Sequence, residues 1–477
     1  MPDRVSRGRA RGPQTSSKPT AGRQSPGRRE RVSARPSTRH QPSDNGFHPG
    51  IYLAIVLGIS FIGVCVYFGL TNRTLKNWVK NLGQPQATVQ MSAAPTDSTL
   101  LEATESATAT PTAEATPTPT PTVEPTPTPV TDLTISAVGD IMAHEPELTA
   151  AYDKSSKKYD FEPFFESVKE ELSAADLTIG NLETTISTNG KYSGYPRFSS
   201  PASLLTALKN VGFDVITTSN NHSYDKGYAG VVKTIEALEE TGLAHTGTFR
   251  SKEEYNAPLI VEANGMKVAV LAYTYGVNSK SGVSASEDRY AIKQINLDTI
   301  EKDIKASREG GADVVIVSVH WGTEYDRSPN DDAEQQAEAM LKMGADLVLG
   351  SHPHVMQPIR RVSVTRDDGT KYEGIVAFSM GNFISNQTGD YKDSGMIFNA
   401  TLHKDPDTGA VTIAEASYVP TWVYIGGNAG YEVLPVGKVL DDDSLLSELS
   451  SSARKRIKQV WEQTTELVGT DAATAVR

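Results

Sequence analysis

Short apolar runs alternate with amphipathic stretches between residues 132 and 440 of the chain. Runs rich in Val, Ile and Leu are typical of buried strands. The runs that predict strands are Leu133–Val138, Leu177–Ile179, Val215–Thr218, Val314–Val319 and Leu347–Leu349. Apolar residues at helical spacing predict helices over Phe164–Leu172, Ala202–Val211, Tyr228–Thr241 and Ala333–Met343. This alternation of strands and helices predicts an α/β fold.

Two turn signals add antiparallel strand pairs to this pattern. Asn264-Gly265 lies between two apolar runs and is typical of a two-residue hairpin turn. Asp367-Asp368-Gly369 lies between two further runs and gives the same signal. We therefore expect mixed sheets rather than purely parallel ones. Residues 441–477 are predicted to form a polar C-terminal helical tail, with one helical segment over Ser444–Glu466.

The N-terminal part of the chain has a different pattern. Residues 51–70 form a run without a charge, long enough to cross a ~30 Å hydrocarbon core as a helix. A buried globular helix and a cleaved signal peptide are the alternatives, and the long charged leader argues against the signal peptide. Residues 1–48 hold almost no large apolar side chains, so we expect this leader to be disordered.

Residues 71–131 are predicted to be an extracellular linker rich in Thr and Pro. The alternating prolines of 115–129 favour extended polyproline geometry, with a rise of ~3.1 Å per residue. Two interpretations remain open, namely a stalk that crosses a cell-wall layer and a passive spacer. Both leave residues 132–440 as the working domain.

Charge is divided unevenly along the chain. Residues 1–50 carry eleven Lys/Arg and three Asp/Glu, a net +8, which leaves −20 for the remainder of a chain whose total is −12. The positive-inside rule then places the N-terminus in the cytoplasm and the C-terminal domain outside the cell, held at the cell membrane by a single span. An acidic body argues against nucleic-acid binding. The single cysteine, Cys65, excludes an intramolecular disulfide and a Cys-based zinc site.

Polar residues recur at the carboxyl ends of the predicted strands. They are Asp140, Asn181, Glu183, Asn221, His222, His320, His352, His354 and Asn382. In open α/β sheets the ligand crevice lies beyond these strand ends, so we expect the separate segments to converge on one site. Oxygen and imidazole ligands without thiolate suit a divalent Mn, Fe, Zn or Mg ion.

Six short blocks contain these residues. In chain order they are Gly139-Asp-Ile-Met142, Gly180-Asn-Leu-Glu183, Asn220-Asn-His222, His320-Trp-Gly322, Gly350-Ser-His-Pro-His-Val355 and Ser379-Met-Gly-Asn-Phe383. Together they resemble the poly-γ-glutamate capsule synthesis protein CapA family, a branch of the calcineurin-like metallophosphoesterase fold. The resemblance covers about 132–430 and implies a two-sheet β-sandwich flanked by helices, with the site at the strand ends.

The resemblance also implies roles for individual residues. The implied metal ligands are Asp140, Glu183, Asn221, His320, His352 and His354. His222 is implied to be the catalytic group that acts as general acid or as a donor to the transition state.

Two departures from the phosphoesterase pattern lie among these blocks. Met142 stands where that pattern has a histidine, and Glu183 stands where it has a bridging aspartate. We therefore expect one metal ion, or a second that binds more weakly. His144, two residues beyond Met142, is a candidate substitute for the histidine.

Four neighbouring residues each have two interpretations. Asp225 either orients the imidazole of His222 as part of the catalytic pair or caps the following helix. Arg197 either binds an anionic substrate group or is a surface arginine. Glu324 either reaches the site as a substrate-binding residue or merely pairs with Arg327. Asn382 either touches the substrate or bonds the backbone of its own loop.

The resemblance and the topology predict a membrane-anchored extracellular protein of capsule, poly-γ-glutamate or cell-surface polymer biogenesis. As an enzyme it would be a metal-dependent phosphoester hydrolase, in which His222 protonates the leaving oxygen. Two alternatives remain open, a non-catalytic module that binds or guides an anionic polymer during export and an extracellular phosphatase or nucleotidase. Expected partners are the membrane, an anionic polymer or phosphorylated substrate, and other capsule-synthesis proteins.

Overall fold

The computed structural model describes residues 131–279, 283, 289–389 and 391–477. The predicted leader, the uncharged run at 51–70 and nearly all of the Thr/Pro-rich linker lie outside these residues. Within the described part of the chain, no helix has the length and apolar character needed to cross a membrane.

The strands are numbered in chain order. They are β1 Thr131–Ile141, β2 Tyr152–Asp153, β3 Lys158–Tyr159, β4 Leu177–Leu182, β5 Val215–Thr217, β6 Ala244–Thr246, β7 Leu259–Ala263, β8 Met266–Thr274, β9 Val314–His320, β10 Leu347–Ser351, β11 Ile359–Thr365, β12 Lys371–Ala377, β13 Asn382–Ile384, β14 Ser394–Lys404, β15 Val411–Gly426, β16 Gly430–Pro435 and β17 Thr474–Ala475.

The helices are numbered in the same way. They are α1 Glu145–Ala151, α2 Lys169–Ser173, α3 Ser203–Val211, α4 Gly227–Thr241, α5 Lys252–Asn256, α6 Leu297–Glu309, α7 Asp331–Met343, α8 Val436–Asp441, α9 Asp443–Glu448 and α10 Ser451–Val468. Two short 3₁₀ turns, Glu162–Phe164 and Glu166–Val168, precede α2.

Two mixed sheets organise the described residues. The main path of the larger sheet is β16-β15-β14-β1-β4-β5-β6, with β13 beside β1 and β17 beside β15. Its strands β1, β4, β5 and β6 are parallel, whereas β14, β15 and β16 are antiparallel. The smaller sheet has the order β11-β12-β10-β9-β8-β7, with a parallel centre and an antiparallel strand at each edge.

The two sheets pack face to face. One buried apolar cluster joins side chains of both sheets, including Ile135 and Ile179 from the larger sheet and Val270 and Ile316 from the smaller. The outer face of the larger sheet packs on α3 and α4, and that of the smaller sheet packs on α6 and α7. The expected α/β fold with a two-sheet sandwich flanked by helices is therefore confirmed for the described residues.

The strand and hairpin predictions are largely confirmed. Each of the five predicted strand runs lies in an observed strand, although β5 ends one residue early, at Thr217. Asn264-Gly265 joins β7 to β8 with both residues at positive φ, 41° and 74°, as a tight hairpin turn requires. The Asp367–Gly369 turn joins β11 to β12.

Two helix predictions differ from the structure. The segment predicted as a helix over Phe164–Leu172 is two 3₁₀ turns followed by the short α2. These turns direct the adjacent rings of Phe164 and Phe165 to different core partners, Tyr431 and Phe383. The segment predicted over Ser444–Glu466 is two helices, because Ser450 accepts a hydrogen bond from the Ala453 amide and starts a new helix.

The C-terminal helices pack on the larger sheet. Ile457 and Val460 of α10 lie in one apolar cluster with Trp422 of β15 and Leu434 of β16. Beyond α10, β17 pairs with β15 in parallel. The residues after 440 therefore belong to the same packed body as the sandwich.

Candidate metal centre

Four parallel strands end at the same edge of the sandwich and supply most of the site. Asp140 lies near the end of β1, and Glu183 directly follows β4. His320 ends β9, and His352 directly follows β10. Because β1 and β4 belong to one sheet and β9 and β10 to the other, the site is shared between the two sheets.

Asp140 is completely buried and is held from several sides. Its backbone amide donates to the Gly381 carbonyl (3.0 Å), and the Asn181 side-chain amide donates to its Oδ1 (2.8 Å). His354 Nδ1 lies 3.1 Å from Oδ2. Burial alone would raise the pKa of Asp140, but the hydrogen bond from His354 and its electrostatic attraction hold that pKa below its usual value. Asp140 is therefore a fixed carboxylate.

Glu183 is also completely buried, but neither of its carboxylate oxygens has a hydrogen-bond partner. His320 Nε2 lies 3.6 Å from Oε1, and His354 Nε2 lies 3.9 Å from the same atom. Burial and the negative charge of Asp140 raise the pKa of Glu183 well above its ordinary value. A buried carboxylate without a donor is costly, and a cation would satisfy it.

The imidazoles of His320 and His352 lie side by side, with ring centroids 4.8 Å apart. His320 Nε2 is 2.9 Å from the Asn221 side-chain oxygen. Burial lowers the pKa of His320 well below 6.5, and burial together with His354 lowers that of His352 to about 4. Both rings are therefore held neutral, the form in which imidazole binds metal ions.

His354 and Asn382 close the site on the side of the 379–383 block. His354 Nδ1 lies 3.1 Å from the Asn382 side-chain oxygen, while the Asn382 amide donates to the Lys392 carbonyl (2.8 Å). The Asn382 side chain thus bonds its own loop through its amide nitrogen and contacts His354 of the site through its oxygen. The φ angles of His352 and His354, 99° and 58°, lie in the region that non-glycine residues rarely adopt.

His222 and Asp225 form a pair beside the metal-ligand candidates. His222 Nδ1 is 2.8 Å from Asp225 Oδ2, and both side chains are nearly buried. Lys226, not Asp225, is the N-cap residue of α4. The contact is the one expected of a carboxylate that orients an imidazole.

Arg197 is exposed, but its guanidinium is engaged. Its Nε and Nη2 both donate to the backbone carbonyl of Asp225, at 2.9 and 2.5 Å. The guanidinium therefore braces the loop that carries Asp225, and the fork expected for an anionic substrate group is occupied by this carbonyl.

Glu324 is exposed and lies over the two C-terminal histidines of the site. A carboxylate oxygen of Glu324 and one ring nitrogen each of His352 and His354 lie within 4.8 Å of one another. Arg327, the nearby cation, donates instead to the Gln463 carbonyl and lies over the Tyr391 ring.

The donor atoms fit a divalent cation at two positions. In the first group, one side-chain oxygen or nitrogen from each of Asp140, Glu183 and His320 lies within 4.8 Å of the other two. In the second group the same is true of Glu324, His352 and His354. Carboxylate oxygens and neutral imidazoles are suitable ligands for Mn, Fe, Zn or Mg. The unpartnered oxygens of Glu183 make the first group the better supported position.

Met142 and His144 do not add an imidazole to either group. Met142 is buried in the core, and its amide donates to the Ile384 carbonyl. His144 is the N-cap of α1, and its Nδ1 accepts a hydrogen bond from the Asn386 amide at 3.3 Å. The proposed substitution of His144 for the first-block histidine is therefore not supported by its position.

Two residues of the site, Asn278 and Tyr275, were not singled out from the sequence, and Asn181 was named at a strand end without a role. Asn181 bonds Asp140 and lies 3.4 Å from His320 Nδ1, and Asn278 lies 3.4 Å from His222 Nε2. The ring of Tyr275 lies 4.6 Å from that of His352. Tyr275 directly follows β8, the strand after the Asn264-Gly265 turn, so the strand-end rule applied to that run and to aromatic residues would have found it.

The model of the bacterial capsule synthesis protein PGA_cap family matches residues 134–387, just over half of the chain. The capsule biosynthesis protein CapA of Bacillus anthracis is 31% identical over 264 residues, which make up 53% of this chain and 60% of that protein. The PGA biosynthesis protein CapA of Bacillus subtilis is 29% identical over 257 residues, 53% of this chain and 63% of that protein. These matches span less than two thirds of the relatives' length.

A probable polyglutamine synthesis accessory protein of Mycobacterium tuberculosis is 30% identical over 207 residues, 40% of this chain and 52% of that protein. Among solved structures, the NAD nucleotidase of Haemophilus influenzae has a TM-score of 0.39 and 11% identity, over 73% of this chain and 57% of that one. A phosphatase from Mycoplasma pneumoniae has a TM-score of 0.36 and 16% identity, over 66% and 99%. Neither structural similarity bears on the chemistry of the site.

Proposed function

Because the chain belongs to the bacterial capsule synthesis protein PGA_cap family, we propose that it serves the synthesis of a capsule or cell-surface polymer through a metal-dependent phosphoester hydrolase site. The observation that carries the hydrolase proposal is the buried donor group of Asp140, Glu183 and His320 beside an oriented His222. The polymer assignment rests on the family and on the names of the two Bacillus relatives.

Asp140, Glu183 and His320 would hold a divalent ion, with Asn221, His352 and His354 around it. Such an ion supplies Lewis acidity to the phosphate oxygens and lowers the pKa of an attacking water. Asp140 is fixed by Asn181 and by the Gly381 carbonyl, so this ligand needs no rearrangement to receive the ion.

His222 is proposed as the group that hands a proton to the leaving oxygen. Asp225 accepts from Nδ1 of the imidazole and fixes its orientation, which leaves Nε2 to carry the transferred proton. Asn278 lies 3.4 Å from that Nε2 and limits the directions from which a substrate can approach it. Positioned general acids of this kind contribute about 10²–10⁴-fold to a rate.

The test measures metal content and turnover of the full-length chain. We expect Mn²⁺-dependent hydrolysis of p-nitrophenyl phosphate or bis(p-nitrophenyl) phosphate, and a fall of about 10²-fold or more in His222→Ala with metal content unchanged. His403→Ala is the matched control, because His403 is a surface histidine paired with Asp132. Absence of bound metal, or equal turnover in the two variants, would rule out the hydrolase.

A second candidate function is a non-catalytic module that binds an anionic polymer during export. Met142, buried in place of the first-block histidine, favours it because a complete two-metal site lacks one imidazole. In this case a chain carrying both His222→Ala and Asp140→Asn would restore surface polymer in a deletion strain. Failure of that chain to restore polymer, although it accumulates normally, would favour catalysis. An extracellular phosphatase or nucleotidase would use the same residues on a soluble substrate.

We further propose that residues 51–70 anchor the chain in the cell membrane and that the sandwich lies outside the cell. The proposal rests on the uncharged run and on the basic leader that precedes it. Protease added to intact cells is expected to degrade the domain from 131 onward while sparing an epitope placed at the N-terminus. Protection of the domain would contradict the orientation.

A further inference from the structure

Three exposed tyrosines surround the candidate metal centre. Tyr195, Tyr275 and Tyr325 are 71%, 50% and 50% exposed. Large rings at the surface contribute little to the core, so a group of them around one polar site indicates a binding surface.

Each of the three rings contacts an imidazole of the site. Tyr275 lies 4.6 Å from the His352 ring and 6.3 Å from that of His320, measured between centroids. Tyr325 lies 6.2 Å from the ring of His354. Tyr195 lies 6.4 Å from the ring of His222. The rings therefore line the approach to both the ligand candidates and the proposed acid.

The three tyrosines come from independent segments. Tyr275 directly follows β8, Tyr325 lies in the segment after β9, and Tyr195 lies between β4 and α3. Tyr325 has a φ of 68°, so its backbone is held in a conformation that a tyrosine rarely adopts. Its backbone amide donates to the Pro353 carbonyl at 2.7 Å, which ties the backbone of Tyr325 to the 350–355 block.

A cation lies beside these rings. Lys392 Nζ lies 4.9 Å from the centroid of the Tyr325 ring, on the same rim as the exposed carboxylate of Glu324. Exposed aromatic faces bind the flat faces of other rings, and Lys392 together with the ion of the proposed metal centre would favour a ligand that carries negative charge. A ring-bearing anion matches both features, whereas a small acyclic phosphate would leave the aromatic faces uncovered.

We propose that Tyr195, Tyr275 and Tyr325 form an aromatic rim that binds a ring in the alcohol part of a phosphoester while the phosphate reaches the histidines. The ring is that of a nucleoside, a sugar or an aryl group, which share a flat face able to stack on tyrosine. This inference rests on the proposed hydrolase function and names the substrate class of the same site.

The test uses phosphonates, whose carbon–phosphorus bond is not cleaved by a phosphoesterase, so that binding is read without turnover. The probes are phenylphosphonate and the methylenephosphonate analogues of AMP and glucose 1-phosphate, with methylphosphonate as the ring-free reference. Titration calorimetry on the full-length chain with Mn²⁺ should give a Kd about tenfold or more below that of methylphosphonate for at least one ring-bearing probe. The probe that binds best identifies the kind of ring.

Substitutions then locate the effect. Tyr275→Ala and Tyr325→Ala should remove most of the tenfold preference by weakening the ring-bearing probe far more than methylphosphonate, whereas Tyr275→Phe should keep the preference because it keeps the ring. Tyr152→Ala is the matched control, because Tyr152 is an exposed tyrosine, 36% accessible, whose ring contacts Tyr159.

The proposed aromatic rim would be overturned by equal affinity for ring-bearing and ring-free probes, or by no binding of any probe. It would also be overturned if the alanine variants lost affinity for the ring-bearing probe and for methylphosphonate to the same extent. Hydrolysis of p-nitrophenyl phosphate is measured separately. Hydrolysis without ring preference refutes the rim alone, and ring preference without hydrolysis refutes the hydrolase alone.

Discussion

At the scale of single residues, Glu183 has the surroundings that most directly indicate a ligand. Its two carboxylate oxygens are buried without a donor, whereas the equally buried Asp140 is held by Asn181 and by backbone. A buried carboxylate with a purely structural role would receive hydrogen bonds from donors of the protein itself. The difference between the two residues supports the proposal that Glu183 is a ligand of a cation.

Glu183→Gln should therefore have different effects with and without metal. In EDTA we expect the variant to be about as stable as the wild type, because burial and Asp140 already oppose the charged form of Glu183 and a neutral amide of similar shape replaces it. With Mn²⁺ the variant should lose most of the stabilisation that the ion gives the wild type. Urea unfolding under both conditions measures this, and a variant destabilised equally in both would show that Glu183 is structural.

At the scale of elements, α10 is connected to the site although it lies far along the chain. Arg456 donates through Nε and Nη2 to the two carboxylate oxygens of Asp393, at 2.9 and 2.6 Å. Asp393 also accepts from Trp422 Nε1 at 3.0 Å. The carbonyl of the adjacent Lys392 accepts a hydrogen bond from the side-chain amide of Asn382. The Arg456–Asp393 pair, here called the clamp, therefore holds the loop that contacts this residue of the site.

Arg456→Gln should loosen that loop. We expect a loss of about 1–3 kcal/mol in the free energy of unfolding, because a bidentate, partly buried pair is broken. Amide exchange in the segment around Asp393 should become faster. Lys455→Gln, one position away and exposed, is the matched control and should change stability by less than about 0.5 kcal/mol. Unchanged exchange around Asp393 would show that the clamp does not order the loop.

At the scale of the whole molecule, the site joins the two sheets. Its first ligand group takes Asp140 and Glu183 from the larger sheet and His320 from the smaller one. The apolar cluster between the sheets also contains side chains of both. We therefore expect the two sheets to unfold together and a bound ion to stabilise both.

Removal of the ion should lower the thermal midpoint of one cooperative transition. A ligand at about 100 times its Kd adds ~2.7 kcal/mol to the stability of the native state. Thermal unfolding of the full-length chain with Mn²⁺ and with EDTA measures the shift, and Glu183→Gln should show a smaller one. An EDTA-insensitive midpoint, or two separate transitions for the sheets, would contradict this prediction.

Helix α6 was not predicted from the sequence, and the reason is visible in its buried face. Beside Ile300 and Ile304, this face carries Asp303, which is 3% exposed and pairs with the buried Lys293 at 2.6 Å. An apolar pattern counts a charged residue as an outward-facing position. The buried charge of Asp303 therefore interrupts the apolar pattern that would predict the helix. Its partner Lys293 lies outside the helix, so the local sequence does not show that this charge is paired.

The sequence by itself determined the central strands, the hairpin turns and the residues placed at the strand ends, because local alternation and turn chemistry specify them. The tertiary structure decided which atoms meet. It brought Asp140 to His354 across 214 positions, left Glu183 without a donor, directed Arg197 to the Asp225 carbonyl and gathered three tyrosines around the site. These features depend on the packing of one sheet against the other, and a local pattern carries no information about such distant neighbours.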